Sequence, residues 1–138
     1  MRAALDPNVL VSALLSRAGA PARILECWLG GEFELVVSES LLAELERTLA
    51  YPKLRSRVPA ADAAQLVNLL RETAPVAADP VDPPRRSPDP GDDYLLALAE
   101  AERTLLVSGD EHLLGLADRF PIQTPRAFLE TLERRRAR

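Results

Sequence analysis

The stretch RAALDPNVLV, residues 2–11, decides the fold, because it runs from a short apolar strand directly into a helix. Its first four residues are typical of a buried strand, Asp6 ends the strand, and Pro7 begins an apolar helix. The stretch LLVSGD, residues 105–110, repeats this pattern, with a glycine that eases the turn. The carboxyl ends of neighbouring strands line the ligand crevice of an open α/β sheet, so we expect Asp6 and Asp110 to converge there.

The rest of the chain alternates between predicted strands and predicted helices. Further strands are predicted at residues 33–37, 75–77, 104–107 and 122–123. Helices are predicted at residues 7–16, 21–29, 39–49, 60–72, 92–102 and 111–117, and from residue 125 onward, with Ser38 and Thr124 as N-caps of the third and the last. Such alternation predicts a three-layer α/β/α fold whose central, mostly parallel sheet has four to five strands. Residues 78–91 are rich in proline and are expected to form a surface loop, so residues 1–138 are expected to be one domain.

Length and composition agree with one globular domain. The chain has 138 residues, of which 47% are hydrophobic, enough for a core at this size. No run approaches the roughly 18 apolar residues of a membrane span, and Met1 leads directly into the first strand. We therefore expect a cytoplasmic protein with no membrane partner, and Cys27, the single cysteine, is expected to be a reduced, buried thiol.

The net charge of -4 would ordinarily argue against a nucleic-acid partner, since phosphate contacts need cations. However, Lys53 is the only lysine among the 17 basic residues, and arginine is the side chain suited to bidentate phosphate contacts. Arg85 and Arg86 precede an acid-rich segment and are candidates for substrate binding. Arg134–Arg136 is more simply a solvated run at the end of a helix.

Each acidic residue, taken singly, has a structural explanation. Asp6 and Asp110 could be N-cap residues that accept hydrogen bonds from backbone N–H groups. Glu44 lies on an amphipathic helix, where most glutamates only face water. The aspartates around residue 92 lie at a helix start, which the helix dipole favours. The acids are therefore informative only as a set.

Four stretches, in this order and spacing, together resemble a PIN-domain protein, and within that family the VapC-like toxins of bacterial and archaeal toxin–antitoxin pairs. They are LDPNVL (5–10), VVSESLLAEL (36–45), DPGDDYLLALA (89–99) and VSGDEHLL (107–114). Each stretch is weakly diagnostic alone, whereas the four together are strongly so, and the resemblance covers almost the whole chain.

The resemblance implies a ribonuclease that depends on Mg²⁺ or Mn²⁺ and leaves a 5'-phosphate and a 3'-hydroxyl. Its acidic pocket would lie at the carboxyl edge of the parallel sheet. The family's catalytic and metal-binding acids match Asp6, Glu44, Asp92 and Asp110. Asn8 matches the polar residue that follows the first aspartate, and we assign it to substrate binding.

The chemistry of such a pocket favours the binding of a divalent cation. Four carboxylates without a nearby lysine repel one another and hold raised pKa values unless a hard cation neutralises them. Oxygen ligands are those that Mg²⁺ and Mn²⁺ prefer, and such an ion activates water and offsets phosphoryl charge. His112, the only histidine, is not required by the family pattern, so we favour a structural role for it.

The resemblance also implies partners: an RNA substrate and a cognate antitoxin protein. Homodimerisation is common in the family, and Trp28 and Leu29 precede the Gly30–Gly31 turn, where they could form an apolar interface. Trp28 is explained equally well as an ordinary core residue.

Two other classes of function remain open. An aspartate-nucleophile phosphatase needs a second aspartate where this chain has Asn8, and a receiver domain needs a lysine after a late strand, whereas Lys53 lies elsewhere. A non-catalytic PIN-like module that binds RNA or protein is the stronger alternative. Pro7 permits this alternative, because it replaces the family's usual threonine or serine and so removes a hydroxyl and a backbone donor. Metal-dependent cleavage of single-stranded RNA would discriminate between catalysis and binding alone.

Helix geometry predicts which aspartate near residue 92 faces the sheet. With Asp89 as N-cap and Pro90 as the first helical residue, Asp92 shares the apolar face and Asp93 is turned about 100° away. We expect Asp92→Asn to abolish RNA cleavage without unfolding, Asp93→Asn to be nearly silent, and Asp89→Asn to cost about 1 kcal/mol or less. A cleavage assay in which only Asp93→Asn is inactive would contradict this assignment.

Overall fold

Six strands and eight helices make up the computed structural model, which describes residues 1–138. In chain order they are β1 (Arg2–Leu5), α1 (Pro7–Leu15), α2 (Ala20–Leu29), β2 (Glu34–Leu35), β3 (Val37–Ser38), α3 (Glu39–Leu49), α4 (Pro52–Arg55), α5 (Ala60–Thr73), β4 (Val76–Ala77), a 3₁₀ turn (Pro90–Asp92), α6 (Asp93–Glu102), β5 (Leu105–Val107), α7 (Glu111–Leu114), β6 (Ile122–Gln123) and α8 (Pro125–Arg136).

The main sheet has four parallel strands in the order β2-β1-β5-β6. Strand β1 lies inside the sheet, and its last three residues are at most 1% exposed, as expected for a strand covered on both faces. Leu5 pairs with Val107, so the residues that follow β1 and β5 emerge at the same edge. The predicted α/β fold with a parallel sheet flanked by helices is confirmed.

The strand predicted at residues 33–37 is divided between two sheets. Strand β2 pairs with β1, whereas β3 leaves the main sheet and pairs in parallel with β4. The Val36 N–H still donates to the Ala3 carbonyl at 2.9 Å, and the next N–H, that of Val37, donates to Pro75 at 3.2 Å. The switch therefore occurs within one residue, and it anchors the start of the proline-rich loop beside α3.

Two of the predicted helix caps lie where the sequence places them. The Ser38 hydroxyl accepts from the Leu41 N–H at 3.2 Å, and the Thr124 hydroxyl accepts from the Ala127 N–H at 3.1 Å. The predicted helix at 111–117 is shorter, since α7 ends at Leu114. Helix α4 was not predicted, because its four residues are too few to show a periodic pattern.

One cluster of 33 buried residues forms the core between the sheet and the helices. Cys27 and Trp28 are both part of it, with 6% and 7% of their surface exposed. The prediction of a buried thiol is therefore confirmed, and Trp28 is a core residue within a single chain.

None of the helices combines the length and the apolar character that crossing a membrane requires.

The prediction that Asp93 turns away from the buried side is wrong. As predicted, Asp89 caps the segment and Pro90 is its first residue, but the segment begins as a 3₁₀ turn and α6 starts only at Asp93. Asp93 is 3% exposed, and its Oδ1 accepts from the backbone N–H groups of Arg86 at 2.9 Å and Ser87 at 2.7 Å. Asp93 therefore fastens the proline-rich loop to α6 and does not face water.

Replacing Asp93 should destabilise the fold. In Asp93→Ala two N–H groups lose a charged acceptor, and we expect the free energy of unfolding to fall by about 2–3 kcal/mol. Asp93→Asn keeps an accepting oxygen and should lose less. Urea denaturation measures both, with Asp118→Ala, at an exposed position, as the matched control within about 0.5 kcal/mol of wild type. Equal stability of Asp93→Ala and Asp118→Ala would contradict the proposed role.

Candidate metal centre

Asp6 is held in place at the junction of β1 and α1. Its N–H donates to the Val107 carbonyl at 2.9 Å and extends the pairing of β1 with β5 by one residue. Its Oδ1 accepts from the Asn8 N–H at 3.0 Å, and its Oδ2 accepts from the Ser108 hydroxyl at 2.8 Å. Because Asp6 is only 2% exposed, burial raises the pKa of its carboxyl group, although these hydrogen bonds oppose the rise.

Ser108 connects the two strand ends that carry aspartates. Its fully buried hydroxyl donates to Asp6 and also accepts from the Asp110 N–H at 3.0 Å. Ser108 was not predicted as a site residue. The strand register would have identified it, because Ser108 follows Val107 as Asp6 follows Leu5.

Asp110 repeats the local geometry of Asp6. Its Oδ1 accepts from the backbone N–H of His112 at 2.7 Å and caps α7. The His112 ring lies beside the same carboxylate, with its Nδ1 3.7 Å from Oδ1 of Asp110. Asp110 therefore has the capping role that the sequence allowed, and its second oxygen has no hydrogen-bond partner within the chain.

Asp92 faces the other acids from the end of the 3₁₀ turn. Its Oδ2 is buried and has no hydrogen-bond partner. Burial raises the pKa of Asp92 to about 7, and four neighbouring carboxylates add to the rise. They belong to Asp110, Asp89, Asp6 and Glu44. The structure thus brings together all four predicted acids.

Asp89 and His112 lie on the exposed side of the cluster. One ligand atom from each of Asp89, Asp92 and His112 lies within 4.8 Å of the other two. Asp89 also caps the 3₁₀ turn, since its Oδ1 accepts from the Gly91 N–H at 3.0 Å. From the sequence, both residues were assigned only structural roles. Asp89 caps the turn that carries Asp92, whereas the proximity of His112 depends on the fold.

Glu44 reaches the cluster from α3. Its Oε2 accepts from the Tyr94 hydroxyl at 3.0 Å, a contact between residues 50 positions apart. Burial raises the pKa of Glu44, and the hydrogen bond from Tyr94 opposes that rise. Burial and the adjacent Glu44 carboxylate also raise the pKa of Tyr94 far above its usual range, so its hydroxyl stays a donor. Tyr94 was not predicted as a site residue.

Asn8 lines a groove beside the acids. The groove has a volume of about 280 Å³ and is bordered by α1, the loop before α7 and the starts of α2 and α8. Its polar lining includes Asn8, Ser12 and Asp110. Asn8 is exposed, so its side chain is accessible to a bound molecule.

The two arginines predicted to bind substrate lie in different surroundings. Arg86 contacts Glu100 through Nη1, at 3.1 and 3.0 Å from the two carboxylate oxygens, and lies 5.1 Å from the centroid of the Phe120 ring. Glu100 lies near the end of α6, whereas Asp92 lies immediately before its start. At the rise of a helix this separation is roughly 12 Å, so the pairing with Glu100 holds the guanidinium away from Asp92. Arg85 is exposed and makes no ion pair. Only Arg85 is free for the predicted contact.

The donor set fits a hard divalent cation. It consists of carboxylates with one imidazole at its margin, and oxygen ligands of this kind suit Mg²⁺ and Mn²⁺. A buried carboxylate oxygen without a partner, as at Asp92, needs either a proton or a cation. The pKa values of Asp6, Glu44 and Asp92 are raised first by burial and then by the neighbouring carboxylates, and a bound cation would offset both effects.

Fold and site together define a PIN-like protein with acids at the carboxyl edge of a parallel sheet. The chain belongs to the PIN domain family, whose model matches residues 2–112. It is similar to the uncharacterized protein MJ1680 of Methanocaldococcus jannaschii, with 23% identity over 144 aligned residues that cover 97% of this chain and 93% of that protein. It also resembles a chain in the crystal structure of VapBC2 from Rickettsia felis bound to a DNA fragment from their promoter. That match has a TM-score of 0.51 and 18% identity, and it covers 90% of this chain and 98% of the other.

The stability of the metal-free protein should fall as the pH rises. The pKa of Asp92 is about 7 in the fold and about 3.9 in an unfolded chain, so the folded state binds more protons between these values. The stabilisation is complete below pH 4 and is lost as the pH rises through 7. Because Asp92→Asn has no charge to bury, we expect it to melt above wild type at pH 8 and to match it near pH 4.

Thermal unfolding in the presence of a chelator measures this difference across the pH range. Asp118→Asn is the control, and its melting temperature should follow that of wild type at every pH. If the difference in melting temperature between Asp92→Asn and wild type is the same at pH 4 and pH 8, the charge of Asp92 does not destabilise the fold and the prediction is contradicted.

Proposed function

We propose that this PIN-domain protein is an endoribonuclease that requires Mg²⁺ or Mn²⁺ and acts as the toxin of a toxin–antitoxin pair. The observation that carries the proposal is the convergence of four acids from separate elements around the unpartnered Oδ2 of Asp92. A chain that needed these acids only as helix caps would not gather them where they raise one another's pKa values. Membership of the PIN domain family supports the same function.

The residues that would hold the cation are Asp6, Glu44, Asp92 and Asp110. A divalent cation bound there would activate water for attack on a phosphodiester and offset the charge of the phosphoryl oxygens. Asp6 supplies a fixed carboxylate, since two donors hold it against the end of β5. Asp92, with its pKa near 7, releases its proton readily at neutral pH when a cation competes for the same oxygen.

The substrate would lie along the edge of the acid cluster. The groove beside Asn8 and Asp110 is open to a single strand, and the Asn8 side chain can donate to and accept from sugar or base atoms. Arg85, in the proline-rich loop, offers an unpaired guanidinium for a phosphate of the substrate. We retain Asn8 and Arg85 as substrate-binding residues and regard Arg86 as the weaker candidate, because Glu100 already pairs with it.

The proposed partner is an antitoxin protein that covers the acidic edge. The likeness in fold to a chain of the Rickettsia felis VapBC2 complex motivates this partner. A negatively charged pocket attracts a basic side chain, whose positive charge would take the place of the cation. Homodimerisation stays a prediction, and it would rely on Leu29, which is 57% exposed, since Trp28 is buried within the chain.

Removing the cation or one of the acids should abolish cleavage. We expect the purified protein to cut single-stranded RNA with Mg²⁺ or Mn²⁺ and to stop in a chelator. Asp110→Asn keeps the oxygen that caps α7, so it should fold normally. Its cleavage rate should nevertheless fall by more than the 10–100-fold loss typical of residues that only support a metal ligand.

The control is Asp118→Asn, at an exposed aspartate in the turn after α7, which should cleave at the wild-type rate. Full activity in the chelator would contradict the metal requirement. RNA binding without cleavage under every metal condition would favour the non-catalytic module instead.

A further inference from the structure

Glu44 differs from the other acids of the cluster in how it is held. Asp6, Asp89 and Asp110 each accept a hydrogen bond from a backbone N–H two residues ahead, which fixes the carboxylate next to its own main chain. Glu44 has a longer side chain in the middle of α3, and no backbone group restrains it. Its single hydrogen bond is the one from the Tyr94 hydroxyl, at 3.0 Å.

Resting on the proposed function, we infer that Tyr94 is a positioning residue that holds the Glu44 carboxylate in the metal centre. The hydroxyl donates to Oε2 and leaves Oε1 free to face the cluster. Tyr94 lies two residues after Asp92, at the start of α6, so the same helix start that presents Asp92 also restrains Glu44.

The Tyr94 hydroxyl acts against a competing interaction on α3 itself. Arg47 lies one turn beyond Glu44, and its charge attracts the carboxylate. Pairs three residues apart on a helix are neighbours, so a Glu44 released from Tyr94 would turn toward Arg47 at the surface. Arg47 is exposed and makes no ion pair, so its guanidinium is available to Glu44. The Tyr94 hydrogen bond therefore decides between an inward and an outward Glu44.

The ring of Tyr94 has a separate, structural role. It packs against the hydrophobic core and is partly buried. Tyr94→Phe keeps these contacts and removes only the hydroxyl, so the variant separates positioning from packing. The matched control is Tyr51→Phe, since Tyr51 is 59% exposed and lies between α3 and α4, outside the acid cluster.

The test is Mn²⁺ binding in the absence of RNA, measured from the electron paramagnetic resonance signal of free Mn²⁺. We expect Tyr94→Phe to bind Mn²⁺ about tenfold more weakly than wild type, as is typical when a partner of a metal ligand is lost. The Tyr51→Phe affinity should equal that of wild type. The melting temperature of Tyr94→Phe in a chelator should fall by no more than a few degrees, as for the loss of one hydrogen bond, because the ring contacts remain.

A double-mutant cycle shows whether Tyr94 acts through Glu44. In Glu44→Gln the carboxylate is already absent, so adding Tyr94→Phe should produce no further loss of Mn²⁺ affinity. Unchanged Mn²⁺ binding by Tyr94→Phe, or losses that add in the double variant, would overturn the inference while leaving the nuclease intact. A wild-type protein that binds no Mn²⁺ would overturn the proposed function, and the inference with it.

Discussion

The parallel pairing of β1 with β5 is the constraint on which the site depends. Its register sets Leu5 opposite Val107, so Asp6 and Ser108 leave the sheet side by side. The pairing continues past the strand end, through the Asp6 N–H and the Val107 carbonyl. A shift of one residue would turn the next side chain to the opposite face and separate Asp6 from Ser108 and Asp110. The acid cluster is thus a direct product of strand register.

Around this pair the chain assembles an electrostatically costly arrangement. Glu44 arrives from α3 and Asp92 from the 3₁₀ turn, and no ion pair in the structure joins a lysine or arginine to any of the four acids. Such a site destabilises the metal-free fold at neutral pH, and the same repulsion strengthens the binding of a cation. The structure tolerates this cost because Ser108, Tyr94 and three backbone N–H groups each stabilise a carboxylate.

The sequence predicted the features that depend on neighbours along the chain. The junctions at Asp6 and Asp110, the cap at Ser38 and the bounds of α3 follow from local patterns of apolar, capping and turn residues. The family resemblance then selected Glu44 and Asp92 from many similar acids. Local patterns do not report contacts between distant segments, and for this reason the hydrogen bond from Tyr94 to Glu44 was missed. The prediction for Asp93 was wrong because the proline-rich loop folds against the start of α6 and donates two N–H groups to this carboxylate, a contact that a helical pattern does not report.

The central claim is that these acids form one cation site at the carboxyl edge of the sheet. The most direct test is a crystal of the protein soaked in Mn²⁺, with the ion located by anomalous scattering. We predict a peak within coordination distance of Asp92 and of at least one of Asp6 and Asp110. No peak in the cluster at saturating Mn²⁺, with the four acids still in place, would contradict the claim.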